Sequence, residues 1–370
     1  MKVPFFDLTR QYEAWRDEID AAVQDVLTSQ RCIGGPHVTA LEEALAGRVG
    51  VAEAVGVSSG TDALLVSLMA LGVGPGDEVI TTAFTFVAPV EAILRVGATP
   101  VFADIEADTF QLSVEAVEAA ITPRTAAVLP VHLFGQTVDM TALMELCQAR
   151  GIPVVEDLAQ SLGATHRGRQ AGSFGRLGAV SFFPTKNLGG VGDGGMVFCE
   201  DEALAARVRM LCKHGMREKY WTEEVGGNFR LDALQAAVLG AKLAALPGLE
   251  EQRRQHAAFY EEALAGIPGL RCPVVRDGDE SVWNQYVLRC ERRDALRDEL
   301  TRRGVGTGVY YPSSLHHQPA FAHLGRWELP VTEQACREVL ALPVFPELRE
   351  EERGYVARSV REAMVGLGGG

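Results

Sequence analysis

The segment Gly178-Ala-Val-Ser181-Phe-Phe-Pro-Thr-Lys186-Asn-Leu-Gly-Gly-Val-Gly-Asp-Gly-Gly195 places one lysine between an apolar run and a glycine-rich loop. Short apolar runs of this kind are typical of buried strands, so the sequence predicts a strand over 179–183. A lysine beside a buried strand is expected to be partly desolvated, which lowers its pKa and makes its amine nucleophilic. The glycines allow the backbone to pass close to a planar cofactor.

The same glycines also match a dinucleotide-binding pattern. Gly190, Gly192 and Gly195 fit G-x-G-x-x-G, which in a Rossmann unit follows a strand and opens a helix. Here the glycines lead into the apolar run that begins at Met196, and they open no helix. The sequence therefore predicts no dinucleotide site at this loop.

Apolar runs alternate with helical patterns from about residue 38 to residue 200. The runs begin at Ala54, Glu78, Pro100, Ala126, Ile152, Ala179 and Gly195. This alternation predicts an α/β fold with a mostly parallel central sheet flanked by helices. The pattern over 203–219 predicts a helix. Beyond about residue 265 the pattern changes: alternation over 282–290 predicts a half-buried antiparallel strand, and the glycine-rich stretch 304–311 predicts another strand. We expect an N-terminal segment and large domain over 1–249, and a smaller C-terminal α+β domain over 250–370.

Composition excludes several classes of protein. The 370 residues are 47% hydrophobic and carry a net charge of −14, which argues against binding to nucleic acid through its phosphates. No run approaches the roughly 18 apolar residues of a membrane span. The seven cysteines are scattered, which argues against disulfides and a zinc site and favours a cytoplasmic protein.

Two further elements suggest a ligand site. Gly60 and Thr61 follow a predicted strand and open a predicted helix, where free N–H groups can bind a phosphate. The alternative is a plain helix cap by Ser59 or Thr61. Asp157 ends the apolar run 152–156, where it can hold the nitrogen of a pyridine ring protonated, or merely cap the next helix. Gln160 follows within reach of the ring's phenolic oxygen.

The order of the motifs carries a resemblance to a known family. The motifs are Ser-Gly-Thr-Asp-Ala-Leu, Gly-Pro-Gly-Asp-Glu-Val-Ile-Thr, Val-His-Leu-Phe-Gly-Gln, Glu-Asp-x-Ala-Gln, Ser-Phe-Phe-Pro-Thr-Lys-Asn-Leu-Gly, Gly-Asp-Gly-Gly and Asn-x-Arg-x-Asp-x-Leu-Gln-Ala-Ala. With them the chain resembles the sugar-nucleotide aminotransferases of the DegT/DnrJ/EryC1/StrS family, which have the aspartate-aminotransferase fold (fold type I). The resemblance extends over nearly the whole chain, from Pro4 to Leu348.

The resemblance implies pyridoxal 5'-phosphate (PLP) as the cofactor, with pyridoxamine phosphate (PMP) as its intermediate form. The implied roles are Lys186 as the Schiff-base lysine, Asp157 at the pyridine nitrogen, Gln160 near the phenolic oxygen, Gly60, Thr61 and Ser181 at the phosphate, and Phe86 stacked on the ring. For Phe86 the alternative is ordinary core packing. Asn228, with Arg230 nearby, matches a phosphate contact from the neighbouring subunit, which implies a homodimer with shared active sites.

The stretch 306–319 matches a substrate-binding region of the family. Arg230, Tyr311 and His316 are the substrate-contacting residues that the resemblance implies. Tyr310 stands where many relatives carry His, so the identity of the sugar stays open. His316 and His317 could suggest a metal, but adjacent residues of a strand point to opposite faces, so we expect none.

The implied function is transfer of an amino group from an amino acid, glutamate by family expectation, to a keto-sugar nucleotide. The stretch 306–316 favours a 3-keto sugar over a 4-keto sugar. A PLP- or PMP-dependent sugar dehydratase is the nearest alternative, but such relatives carry His in place of Lys186. A regulator without enzymatic activity is the second alternative, but no helix-turn-helix or basic extension is visible.

Overall fold

A mixed β-sheet lies at the centre of the computed structural model, which describes residues 1–368. The strands up to Cys199, not all of which belong to this sheet, are β1 (Glu53–Val57), β2 (Glu78–Thr82), β3 (Thr99–Ala103), β4 (Thr125–Val128), β5 (Val155–Asp157), β6 (Thr165–His166), β7 (Arg169–Gln170), β8 (Leu177–Ser181) and β9 (Gly195–Cys199). The order across the sheet is β3-β2-β4-β5-β8-β9-β1, with β4 joined to β5 by parallel bridges at Val128–Val154 and Val131–Asp157. Strand β9 is antiparallel to both neighbours and the other pairs are parallel, so the predicted mostly parallel sheet is confirmed.

Helices cover both faces of this sheet. They are α1 (Leu8–Ala14), α2 (Arg16–Ser29), α3 (Pro36–Val49), α4 (Gly60–Ala70), α5 (Ala88–Arg95), α6 (Val114–Ala120), α7 (Met140–Arg150), α8 (Glu202–Leu211), α9 (Ala233–Leu243) and α10 (Leu246–Leu264). Alternate strand residues face opposite sides. Ala54 and Phe198 therefore pack with α2, α3 and α9, whereas Val55 and Val197 pack with α4 and α8.

The C-terminal part of the chain forms a second core. Its elements, with a short hairpin that precedes them, are β10 (Met216–Glu218), β11 (Trp221–Thr222), β12 (Leu270–Arg271), β13 (Asp279–Glu280), β14 (Tyr286–Cys290), β15 (Val339–Leu342), α11 (Arg293–Arg302), α12 (Pro330–Glu338) and α13 (Glu350–Gly368). Val3, from the N-terminal segment, bridges to Val305 and packs into this core. The predicted boundary at 249/250 lies within the continuous helix α10, and the last two residues of the predicted small domain, 369–370, lie outside the described residues. The division into two domains stays a prediction.

Three local predictions differ from the structure. Strand β14 is buried along its whole length, because helices α11 and α12 also pack against it. The helix predicted over 203–219 ends at Leu211, and His214 and Gly215 adopt left-handed φ angles of 60° and 67° that reverse the chain into β10. The strand predicted over 304–311 is reduced to isolated bridges, such as Gly308 to Ala341.

No helix within residues 1–368 combines the length and the apolar character that a membrane crossing requires. All seven cysteines lie in this described part of the chain, and each has a free thiol.

Candidate active site

Asp157 ends strand β5 at the carboxyl edge of the sheet, where open α/β folds bind ligands. Its side chain is 5% exposed, and Oδ1 accepts a hydrogen bond of 2.9 Å from the N–H of Ala159. Burial raises the pKa of the Asp157 carboxyl, while the Ala159 bond and the positive charge of Lys186 act in the opposite direction. The residues that follow form turns rather than a helix, so the alternative of a simple helix cap fails.

Lys186 lies in the turn after β8, with its backbone N–H donating to the Phe183 carbonyl at 2.8 Å. The side chain is half-buried. Burial lowers the pKa of the Lys186 amine, and the negative charge of Asp157 acts to raise it. The two side chains predicted to act on the same ring thus lie close enough for the charge of each to affect the pKa of the other.

The predicted phosphate site lies between α4 and β8. Helix α4 begins at Gly60, and Ser59 caps it by accepting a hydrogen bond of 3.0 Å from the N–H of Asp62. The predicted cap is therefore present, and it leaves the N–H groups of Gly60 and Thr61 without partners inside the helix. A Cβ on Gly60 would come within 2.6 Å of the Ser181 Cβ, so only glycine lets the start of α4 pack this closely against β8.

Gln160 and Tyr311 connect the sheet edge to the C-terminal stretch. The Gln160 Oε1 atom accepts from the N–H of Phe134 at 2.8 Å, and its Nε2 atom donates to the Tyr311 hydroxyl at 3.2 Å. Burial raises the pKa of the Tyr311 hydroxyl; the bond from Gln160 opposes this, and the charge of Asp157 adds to it. Tyr311, predicted at the substrate, thus lies beside the groups predicted to hold the cofactor ring.

Phe86 and Asn228 have exposed side chains. Phe86, which follows β2, is 58% exposed, so it is not a core residue and the packing alternative fails. The Asn228 side chain is exposed, and its Oδ1 accepts from the Arg230 Nε at 2.9 Å. The adjoining Phe229 carbonyl accepts from the N–H of Ser58 at 2.9 Å, so this segment runs along the end of β1.

Sequence reasoning missed the environment of Glu156. This fully buried carboxylate accepts from the N–H groups of Gly172 (2.8 Å), Phe174 (2.7 Å) and Gly175 (2.7 Å). It also accepts from His132 Nε2 at 2.9 Å, and the donation of the Val138 N–H to His132 Nδ1 places the imidazole proton on Nε2. The sequence did contain an indication that Glu156 points away from the site. Adjacent residues of a strand point to opposite faces, so only one carboxylate of the Glu156–Asp157 pair could face the cofactor.

His316 lies in a 3-10 turn, Leu315–His317, and not in a strand. The Leu315 N–H donates to the Ala83 carbonyl at 3.0 Å, which fixes the turn beyond the end of β2. Both histidine rings therefore point towards Glu333, with His316 Nε2 at 3.4 Å and His317 Nε2 at 3.8 Å from its Oε1. The sequence argument that placed the two rings on opposite faces was wrong, because it assumed an extended chain.

The comparisons with known proteins agree with this arrangement. The model of the DegT/DnrJ/EryC1/StrS aminotransferase family matches residues 13–361. The chain belongs to this family. Among its relatives in the family is the dTDP-3-amino-3,4,6-trideoxy-alpha-D-glucose transaminase of Streptomyces venezuelae, 46% identical, with 98% of this chain and 96% of that protein covered.

Two further comparisons cover almost the whole of both chains. A protein named "Pleiotropic regulatory protein" from Geobacillus stearothermophilus is 45% identical, with 98% of each chain covered. The crystal structure of S. venezuelae DesV in complex with a ketimine intermediate superposes with a TM-score of 0.96 at 45% identity, again with 98% of each chain covered. The aminotransferase fold predicted from the sequence is thereby confirmed.

Proposed function

We propose that this protein is a PLP-dependent aminotransferase that moves an amino group from glutamate to a keto-sugar nucleotide, in the biosynthesis of amino-deoxysugars and of polysaccharides that contain them. The observation that carries the proposal is the placement of Asp157 at the end of β5 and of Lys186 in the turn after β8, the strand that pairs in parallel with β5. Helix α4 begins at Gly60, directly against Ser181, so the free N–H groups of its first turn and the Ser181 hydroxyl lie together where they could bind the phosphate of the same cofactor.

The chain's own groups account for the proton chemistry of transamination. PLP, when bound, supplies an electron sink that delocalises negative charge from the reacting carbon. Because burial lowers its pKa, the Lys186 amine can take a proton from the Cα of the donor and return one at the cofactor side. The buried Asp157 carboxylate gains a compensating charge when it holds a proton on the pyridine nitrogen. The N–H groups of Gly60 and Thr61 and the Ser181 hydroxyl bind the phosphate.

The position of amination is proposed to be C3. The Streptomyces venezuelae relative, at 46% identity, is named for a 3-amino sugar, and the stretch 306–316 favours the same position. A 4-keto sugar is the alternative at the same site. Dehydration is disfavoured because Lys186 is present. Regulation without catalysis is disfavoured because Lys186 and Asp157, the two residues that the proposed reaction requires, are both present at the carboxyl edge of the sheet.

We also propose a homodimer, in which Asn228 and Arg230 of one subunit complete the phosphate and substrate sites of the other. Exposed apolar side chains near Asn228 support this: Tyr220, Trp221 and Val225 are 86%, 68% and 87% exposed. Exposed apolar side chains that cluster together are typical of surfaces that bind another protein. Replacing Trp221 and Val225 by Ser should give a monomer by light scattering with weakened cofactor binding; an unchanged dimer would contradict the assignment.

The free thiols fit the proposed cytoplasmic location.

One assay tests the enzymatic proposal. The purified protein is incubated with glutamate and a panel of 3-keto and 4-keto sugars linked to dTDP, UDP or GDP, and 2-oxoglutarate and product mass are followed. Transfer of an amine to a 3-keto sugar is expected, and Lys186→Ala should abolish both turnover and the cofactor absorption band. Loss of sugar oxygen without amine transfer would favour the dehydratase. No turnover together with effector-dependent DNA binding would favour the regulator.

A further inference from the structure

Three potential metal ligands converge beside the C-terminal stretch. They come from the 3-10 turn Leu315–His317 and from the first turn of helix α12. The ligand atoms of His316, His317 and Glu333 all lie within 4.8 Å of one another. No role in the proposed transamination uses this convergence, since only His316 was predicted to contact substrate.

The distances fit metal coordination better than direct hydrogen bonding. His316 Nε2 and His317 Nε2 lie 3.4 and 3.8 Å from Glu333 Oε1, beyond the usual range for an N–H···O bond of about 2.7–3.2 Å. In a tetrahedral zinc site with metal–ligand bonds of about 2.1 Å, neighbouring ligand atoms are about 3.4 Å apart. An ion placed between the three atoms would therefore need only small side-chain movements.

Surrounding groups hold two of the three ligands, His317 and Glu333, in place. The buried Ser314 hydroxyl lies 3.2 Å from His317 Nδ1, and this contact fixes the ring so that Nε2 points towards Glu333. Asp104 accepts from the N–H groups of Val331 and Thr332 at 3.0 and 2.9 Å, which anchors the turn that carries Glu333. Partners of this kind orient the ligands in known metal sites.

The exposure and the chemical type of the three side chains indicate which class of metal ion they would bind. The side chain of His316 is 2% exposed, whereas those of His317 and Glu333 are 54% and 32% exposed. One side of the site is thus open to water, which can supply a fourth ligand. Two imidazoles and one carboxylate with an open position suit Zn²⁺ and similar divalent transition metals rather than Mg²⁺ or Ca²⁺.

We propose that His316, His317 and Glu333 bind one divalent transition-metal ion, with Zn²⁺ as the best fit, and that the ion ties the substrate-side stretch 310–317 to helix α12. The prediction of no metal from the sequence rested on the assumed strand, which the 3-10 turn replaces. His316 is also a predicted substrate contact, but the test below measures metal binding directly, so failure of this proposal is distinguished from failure of the proposed aminotransferase activity.

The test uses the untagged, full-length holoenzyme after dialysis against a chelator. Zn²⁺ binding is measured by calorimetry, and Co²⁺ is added to record the strong visible bands of a tetrahedral site. We expect one equivalent to bind, and His317→Gln or Glu333→Gln to weaken binding at least about a hundredfold. Ser314→Ala should weaken it about tenfold, since the loss of an outer partner typically costs 10–100-fold.

Two control variants test whether Zn²⁺ binds elsewhere on the chain. His323→Gln removes an exposed histidine outside the cluster, and Cys32→Ser removes the exposed thiol. Both should bind Zn²⁺ as the unmodified chain does. The proposal is overturned if the unmodified chain binds no Zn²⁺, if His317→Gln binds as tightly, or if Co²⁺ gives only the weak bands of an octahedral ion.

Discussion

A Cβ atom added to Gly60 would lie 2.6 Å from the Cβ of Ser181, far inside van der Waals contact. The first residue of helix α4 is therefore packed so closely against the last residue of strand β8 that only glycine fits there. The N–H groups that open α4 point into the same region, where an anion is stabilised by the helix dipole. This relationship makes Gly60 the sharpest local test of the proposed phosphate site.

Gly60→Ala is expected to weaken PLP binding about 10- to 100-fold, because an extra methyl group in a tight space costs about 1–3 kcal/mol. Cofactor affinity is measured by absorbance titration of the apoprotein. Gly240→Ala is the matched control, since a Cβ there meets nothing within 4 Å. Equal cofactor affinity in the two variants would remove Gly60 from the phosphate site.

The Gln160–Tyr311 hydrogen bond should contribute to stability as a pair. Its donor nitrogen lies 3.2 Å from the Tyr311 oxygen, and Gln160 is 7% exposed. A double-mutant cycle with Gln160→Ala and Tyr311→Phe, followed by urea unfolding, is expected to give a coupling free energy of about 1 kcal/mol. Additive effects of the two substitutions would show that the contact contributes nothing.

Glu156→Gln should destabilise the protein severely, by on the order of 3 kcal/mol, because an amide NH₂ would face a backbone donor that the carboxylate now satisfies. The free energy of unfolding in urea measures the loss. Glu118→Gln is the control: it breaks only a surface ion pair with Arg150, expected to contribute at most about 1 kcal/mol. Similar losses in both variants would contradict the role given to the buried carboxylate.

Lys242 should make the free energy of unfolding depend on pH. Its buried amine donates to the Gly189 carbonyl, in the loop that follows Lys186. Burial lowers the pKa of Lys242 from 10.5 to about 8, against an opposing effect of Glu347. Between these two values the unfolded chain binds more protons than the folded one, so stability rises with pH.

The measurement compares the unmodified chain with Lys242→Met by urea unfolding at several pH values. The stability of the unmodified chain relative to the variant is expected to increase across the window from pH 8 to pH 10.5, by at most about 3 kcal/mol. A difference that does not change with pH would mean that the lysine is not desolvated in the folded state.

Local patterns predicted much of the large domain. Runs such as Glu78–Thr82 and Gly195–Cys199 are strands because both of their faces are buried, and a continuous apolar run records that directly. The same reasoning located Asp157 at a strand end and Lys186 after a buried strand. The role of Asn228 came only from the order of motifs, because no local pattern reports a second subunit.

Tertiary contacts decided what the local patterns could not. Strand β14 is buried on both faces because α11 and α12 cover it, although its alternating residues predicted one exposed face. Glu156 is stabilised by donors from residues 172–175, whose approach no local pattern reports.

The sequence by itself determined the fold and selected Lys186 and Asp157 as the proposed catalytic pair, because apolar runs indicate buried strands and the family motifs are local in the sequence. The tertiary structure alone decided that Gly60 meets Ser181 and that His316, His317 and Glu333 converge. Both relationships join elements distant in sequence. Their geometry depends on how helices and turns pack against the sheet, and the spacing of residues does not contain that information.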